Sequence, residues 1–167
     1  KPEALTSGST ERKTSLRWSP DGRQIAFADK SGRLWSLDVA TKSVVEVARD
    51  KGGSVGDYNW APDSGWLAFS LTDDNSFRSI WLWNRAEKKL TRVTDELFNE
   101  SEPVFDPDGE FLWYLSDREF APQLMGIEWN FCVNRTTCVY GLALRRDVKH
   151  PFAPESDEVT ITAKDDA

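Results

Sequence analysis

One phrase of eleven residues, repeated with variation, constrains this chain more than anything else in it. It reads "RWSPDGRQIAF" from Arg17, "NWAPDSGWLAF" from Asn59 and "VFDPDGEFLWY" from Val104, which sets its aromatic anchors Trp18, Trp60 and Phe105 at spacings of 42 and 45 residues. A period of about 40 to 45 residues is that of a four-stranded propeller blade, a unit that cannot bury its apolar face alone and therefore stacks on its neighbours. In each phrase an aromatic residue closes one strand and a turn follows. Pro fixes φ near the value a turn needs, Asp bonds its own backbone, and Gly accepts positive φ. The predicted structural turn residues are accordingly Asp21, Gly22, Asp63, Asp108 and Gly109.

The rest of each unit fills in around the turn. Second strands are predicted at 24–28, 66–71 and 111–116, nearly all apolar, as expected for strands covered on both faces. Third strands are predicted at 33–38, 79–84 and 138–144, and polar outer strands at 43–48, 88–93 and 158–163. Residues 3–8 read as the close of an outer strand from a preceding blade. The predicted fold is therefore all-β, a partial propeller of about three four-stranded blades plus one leftover strand. Residues 1–10 form the remnant, 11–50 and 51–96 two blades, and 97–167 a third blade with an insertion at about 119–137 and a C-terminal connector. Phe69, Trp35, Trp81, Trp83 and Trp113 are expected to pack blade against blade. A closed ring takes about four to eight blades. The terminal faces should then be covered by the remaining blades of a parent chain or by a second copy, as in a homodimer.

Composition narrows the partners. The 28 acidic and 21 basic residues give a net charge of −7, and no basic cluster exceeds the Arg145-Arg146 pair. Nucleic acid, which demands a basic footprint, is not an expected partner. No apolar run approaches the roughly 18 to 20 residues of a membrane helix, so membrane insertion is not expected either. The first residue is Lys and the N-terminus has no apolar core like that of a signal peptide, so the chain reads as processed or as part of a longer polypeptide.

Candidate chemistry is sparse. His150, in "VKHPF", is the single histidine and reads as a connector residue, since no G-x-S-x-G elbow accompanies it. Asp73–Asn75 lacks the spacing of a calcium loop and reads as a hairpin loop, and Glu155, Asp157 and Glu158 read as a solvated connector. Cys132 and Cys138 flank a five-residue loop, which suits either a disulfide or two free thiols according to compartment. Asn134–Thr136 matches a glycosylation acceptor triplet, which carries weight only in a secretory eukaryotic setting. No catalytic, cofactor-binding or metal-binding residue is assigned. Trp129, Phe131 and Arg135 lie in the insertion rather than in the repeat, and are the candidate contacts for a peptide or protein partner; the rival reading folds the insertion over an open blade edge.

The three phrases resemble the propeller repeats shared by TolB-like proteins and the tricorn-type serine proteases. "FLWYLSDREF" leading into "CVYGLALRRDVKHPFAPESDE" is similar to the end of the second tricorn propeller, before the chain moves toward PDZ-like and catalytic domains. The resemblance implies a non-catalytic propeller segment that gates or channels peptides toward a serine peptidase site elsewhere in a parent protein. It leaves two other readings open: a TolB-like interaction propeller of the cell envelope, and the propeller of a prolyl-oligopeptidase-like enzyme. It points to a prokaryotic source and leaves periplasm and cytoplasm equally open.

Overall fold

The computed structural model describes residues 2–8, 10–119, 123–124, 131–132 and 136–153. Blade one is an antiparallel sheet of β1 (Lys13–Trp18), β2 (Gln24–Asp29), β3 (Arg33–Asp38) and β4 (Val44–Arg49), hydrogen-bonded in that order. Blade two repeats it with β5 (Tyr58–Trp60), β6 (Trp66–Thr72), β7 (Arg78–Asn84) and β8 (Lys89–Arg92). In blade three β9 (Glu100–Phe105) pairs with β10 (Phe111–Ser116), and the insertion then forms a short ladder of β11 (Gln123–Leu124) with β12 (Phe131–Cys132). The blade resumes with β13 (Cys138–Ala143) on the far side of β10.

The predicted second, third and fourth strands of blades one and two are all present, with their limits shifted by no more than a residue. The strand predicted at 158–163 lies outside the described residues. The described residues of the segment 3–8 join no ladder. An outer strand has only a third strand to bond, and none lies beside this segment among the described residues. Instead Leu5 packs on Ile25, Phe27 and Leu37 at the outward face of blade one.

Side-chain size organises the stack. In β2, Ala26 and Ala28 face blade two, while Ile25 and Phe27 face outward. In β6, Leu67 and Phe69 enter the cluster shared with blade one, and Ala68 faces blade three. The large face of one blade thus seats on the alanines of the blade before it, which gives close packing without strain. Exposure follows from the same geometry. Trp60 and Phe105 are only 5% and 8% exposed against a preceding blade, whereas Trp18, at the same repeat position in blade one, is 57% exposed.

Blade three departs from the pattern on its outward face. Trp113 holds the place of Ala26 and Ala68, and it fits because Gly141 stands opposite on β13, where a Cβ would come within 2.7 Å of the ring. Not all five large aromatics pack between the described blades. Phe69, Trp81 and Trp83 do so; Trp35 lies on the outward face of blade one, and Trp113 packs on Phe111 and Phe152.

Two first strands carry a bulge that the repeat did not reveal. Pairing slips between Thr14 and Arg17 and again opposite Tyr114, and Ser15 and Glu102, each three residues before its aromatic anchor, sit at φ of 57° and 54°. The extra residue adds local twist at the strand start.

The first strands of adjacent blades are joined by side chains. On one face of β5, Tyr58 Oη donates to the Ser15 carbonyl and Trp60 Nε1 to the Arg17 carbonyl at 3.2 Å. Burial pushes the Tyr58 phenol up to about 12. On the other face, Asp57 Oδ2 accepts the Glu102 N–H at 2.9 Å and Asn59 Oδ1 accepts the Phe105 N–H at 3.0 Å. Asp57 is itself held by the Ser70 hydroxyl and by Arg78 at 2.8 Å.

Phe69 is fully buried at the centre of the first inter-blade cluster. Phe69→Ala is expected to cost ~3–5 kcal/mol of unfolding free energy, read from urea denaturation; a loss below ~1 kcal/mol would contradict this packing.

Candidate functional site

The repeat turns all lie at one end of the stack, and there the two inter-blade junctions differ. In blade one, Asp21 Oδ1 accepts the Ser19 hydroxyl at 2.6 Å and the Arg23 N–H at 3.0 Å, while Gly22 turns the chain at φ 68°. Gly109 does the same in blade three at φ 67°. Blade two places Ser64 at this left-handed position, at φ 60°, and Asp63 Oδ1 accepts the N–H of Gly65 at 2.8 Å. In blade three the closing carboxylate is that of Asp106, which accepts the Phe111 N–H at 2.7 Å. Asp108 stands exposed beside it.

Ser64 has a reason to tolerate that backbone. Its hydroxyl accepts the Asp21 N–H at 3.0 Å, and Arg85 Nη1 reaches across to Asp21 Oδ2 at 2.9 Å. These two bonds latch blade two onto blade one. The Ser19 hydroxyl, the Arg23 N–H and the Arg85 guanidinium together hold the Asp21 carboxyl well below the usual carboxylate range.

The second junction has no such latch. Backbone bonds from Val39 to Arg23, from Arg85 to Gly65 and from Leu144 to Glu110 recur at 3.0, 2.9 and 2.8 Å, so Leu144 occupies in blade three the place of Arg85 in blade two. Gly109 likewise occupies the place of Ser64. With both latch side chains missing, a cleft of about 600 Å³ opens between blades two and three. Trp66, Leu82, Phe105 and Leu144 form its apolar walls, and Asp63, Asp108 and Arg145 stand at its rim. Such a volume lies in the range of small-ligand sites.

The opposite end of the stack carries a repeated structural device. A guanidinium lies over the third-strand aromatic of every blade: Arg33 over Trp35 at 5.0 Å, Arg92 over Trp81 at 5.3 Å and Arg118 over Tyr140 at 4.3 Å. Each arginine also pairs with a carboxylate, that of Asp29, Asp73 or Glu100 respectively. The arginines come from different sequence positions, so no linear motif announced them. The Trp35 N–H reaches Asp29 at 2.9 Å, whereas the buried N–H of Trp81 has no partner among the described residues, because Leu71 stands at the place of Asp29.

The remaining candidates separate. The Asp73–Asn75 segment is a hairpin loop whose side chains bind Arg92, Lys51 and the Phe77 N–H. His150 is exposed, and its Nδ1 accepts the Phe152 N–H at 3.1 Å. Phe131 and Cys132 form β12, whereas Trp129, Arg135, Asn134, Glu155, Asp157 and Glu158 lie outside the described residues. Cys138 opens β13 opposite Ser116 and carries a free thiol. The sequence reading flagged Asp63, Asp108 and Gly109 only as turn residues, and did not foresee the cleft between them. The signal was present in comparing repeats: Arg85 and Ser64 have no counterparts one blade later.

The family model for the tricorn protease second beta propeller domain matches residues 1–167. The chain belongs to that family. A putative tricorn-like protease C-terminal subunit from Sulfurisphaera tokodaii is 28% identical over 149 residues, which cover 89% of this chain and 17% of that protein. The crystal structure of the tricorn protease matches with a TM-score of 0.80 at 18% identity, covering 93% of this chain and 16% of that one. A putative TolB from Agrobacterium tumefaciens matches at 0.56 and 17% identity, over 84% of this chain and 48% of the other. At these identities the two structures speak for a shared propeller fold. The tricorn-type segment spans about a sixth of the tricorn-like chains it matches.

In this tricorn-type propeller the latch should titrate. A carboxyl whose folded pKa is depressed contributes stability above its unfolded value of about 4 and loses it as pH falls toward the folded value. Asp21→Asn is expected to cost about 1–2 kcal/mol at pH 7, with the gap to the parent narrowing steadily as pH falls below about 4. Urea titrations at several pH values measure it, and a gap that widened in acid would contradict the assignment.

Proposed function

We propose that this segment is the non-catalytic propeller part of a tricorn-like protease, gating or channelling peptide substrates toward a catalytic domain elsewhere in the parent protein. The observation that carries the reading is the match of all 167 residues to the tricorn second propeller domain. The structure supports a scaffold role. The Asp57, Asp73 and Ser70 side chains, which could otherwise suggest chemistry, are spent on bonds within and between blades. The insertion around Trp129, Phe131 and Arg135 is the surface assigned to partner or substrate contact. Further blades of the parent chain, or a second copy, cover the outward faces at Trp18 and Trp113.

The test uses the full-length protein with Trp129→Ala and Phe131→Ala together. Hydrolysis of an unfolded peptide of about twenty residues is compared with that of a short chromogenic tripeptide. Gating predicts that the ratio of the two kcat/KM values shifts by roughly threefold or more while tripeptide turnover holds. Equal losses on both substrates, or no change on either, would contradict it.

A further inference from the structure

We infer that the cleft between blades two and three is a guanidinium site, and that its occupant is an arginine side chain of a peptide threading past the turn end. The template is internal to the molecule. At the first junction the turn carboxylate Asp21 is held by Arg85, which extends from the end of the third strand of the next blade. At the second junction Asp63 presents the same turn carboxylate, but Leu144 stands where the arginine would be. Asp63 Oδ1 accepts the Gly65 N–H, as Asp21 Oδ1 accepts that of Arg23, and the Asp63 carboxylate lines the cleft.

The lining fits such an occupant. Asp63 and Asp108 give the rim its negative charge, while Trp66, Leu82, Phe105 and Leu144 offer apolar walls to the methylene stem. Arg145, the cation that lines the cleft, is engaged by Glu110 and Asp147 at 3.3 Å each. A guanidinium suits a carboxylate better than an ammonium does, because its planar fork can take both oxygens, and it stacks on indole faces such as that of Trp66. Without Arg85 and Ser64 equivalents, the space is large enough to admit a side chain and part of its backbone. The assignment of a peptide as the source rests on the proposed function; the guanidinium preference rests on the comparison of the two junctions alone.

The experiment is isothermal titration of the intact chain with acetyl-Leu-Arg-Leu-amide and with the same peptide carrying citrulline, which keeps the shape and removes the charge. The arginine peptide is expected to bind roughly tenfold more tightly. Asp63→Asn, a surface change that keeps the Oδ1 bond to Gly65, should erase that difference. Leu144→Arg should rebuild the latch, raise the melting temperature and exclude the arginine peptide. Equal binding of the two peptides, or a preference that survives Asp63→Asn, overturns the inference while leaving peptide handling by the propeller intact. Binding of free arginine at the same site with no binding of either peptide retains the guanidinium site and overturns its peptide source. No binding of any probe overturns the inference, and the length dependence of hydrolysis in the full protein then decides the proposed function separately.

Discussion

Among the described residues neighbouring blades share no backbone ladder, so something else must fix how one sheet sits on the next. Alternate side chains of β5 and of Asp57 just before it do it. Tyr58 and Trp60 donate to carbonyls of β1 on one face, and Asp57 and Asn59 accept N–H groups of β9 on the other. Residues 57–60, β5 and the residue before it, thus tie together three blades. The period-two alternation of a strand makes this division possible, since residues 57 and 59 must point opposite to 58 and 60. Hydrophobic packing then needs only to be large on one face and small on the other, as Phe69 and Ala68 show, because direction and register are already set by polar bonds.

The buried carboxylate in this tie illustrates how polar groups are afforded inside a stack. Asp57 accepts from the Ser70 hydroxyl, from Arg78 and from the Glu102 N–H. Removing one partner of such a buried set is costly, while the complete set specifies geometry more than it adds stability. The same economy explains the arginines stacked over Trp35, Trp81 and Tyr140. Each neutralises a carboxylate and covers an aromatic at the edge of its blade. Function is then free to occupy places where the repeat has lapsed. Leu144 and Gly109 are such lapses, and the cleft beside Asp63 is their result.

Much of the fold was legible because the repeat writes it three times. The Pro-Asp-Gly turns and the apolar second strands locate every blade, and the resemblance carried by those phrases agrees with the family match. What was not legible depends on comparison across space. The bulges at Ser15 and Glu102 occur at residues with no turn chemistry of their own, and a left-handed Ser or Glu leaves no mark in the sequence. Residues 3–8 join no ladder among the described residues, since an outer strand needs a third-strand neighbour beside it. Trp113 was placed between blades from its position in an apolar second strand; it lies on the outward face of blade three, where Gly141 opposite makes room for the ring. Asp63 was read as a turn residue alone, and its place beside a cleft becomes visible only once Arg85 is seen bonding Asp21 at the other junction.

The most direct test of this account is native-state hydrogen exchange at the amide of Phe105, whose N–H bonds the Asn59 side chain rather than a neighbouring strand. In the parent chain that amide should exchange as slowly as the amides of β6, and Asn59→Ala should speed it by at least roughly tenfold while amides within β6 keep their protection. A Phe105 amide that exchanges freely in the parent, or one indifferent to Asn59→Ala, would show that side chains of β5 do not hold the blades together.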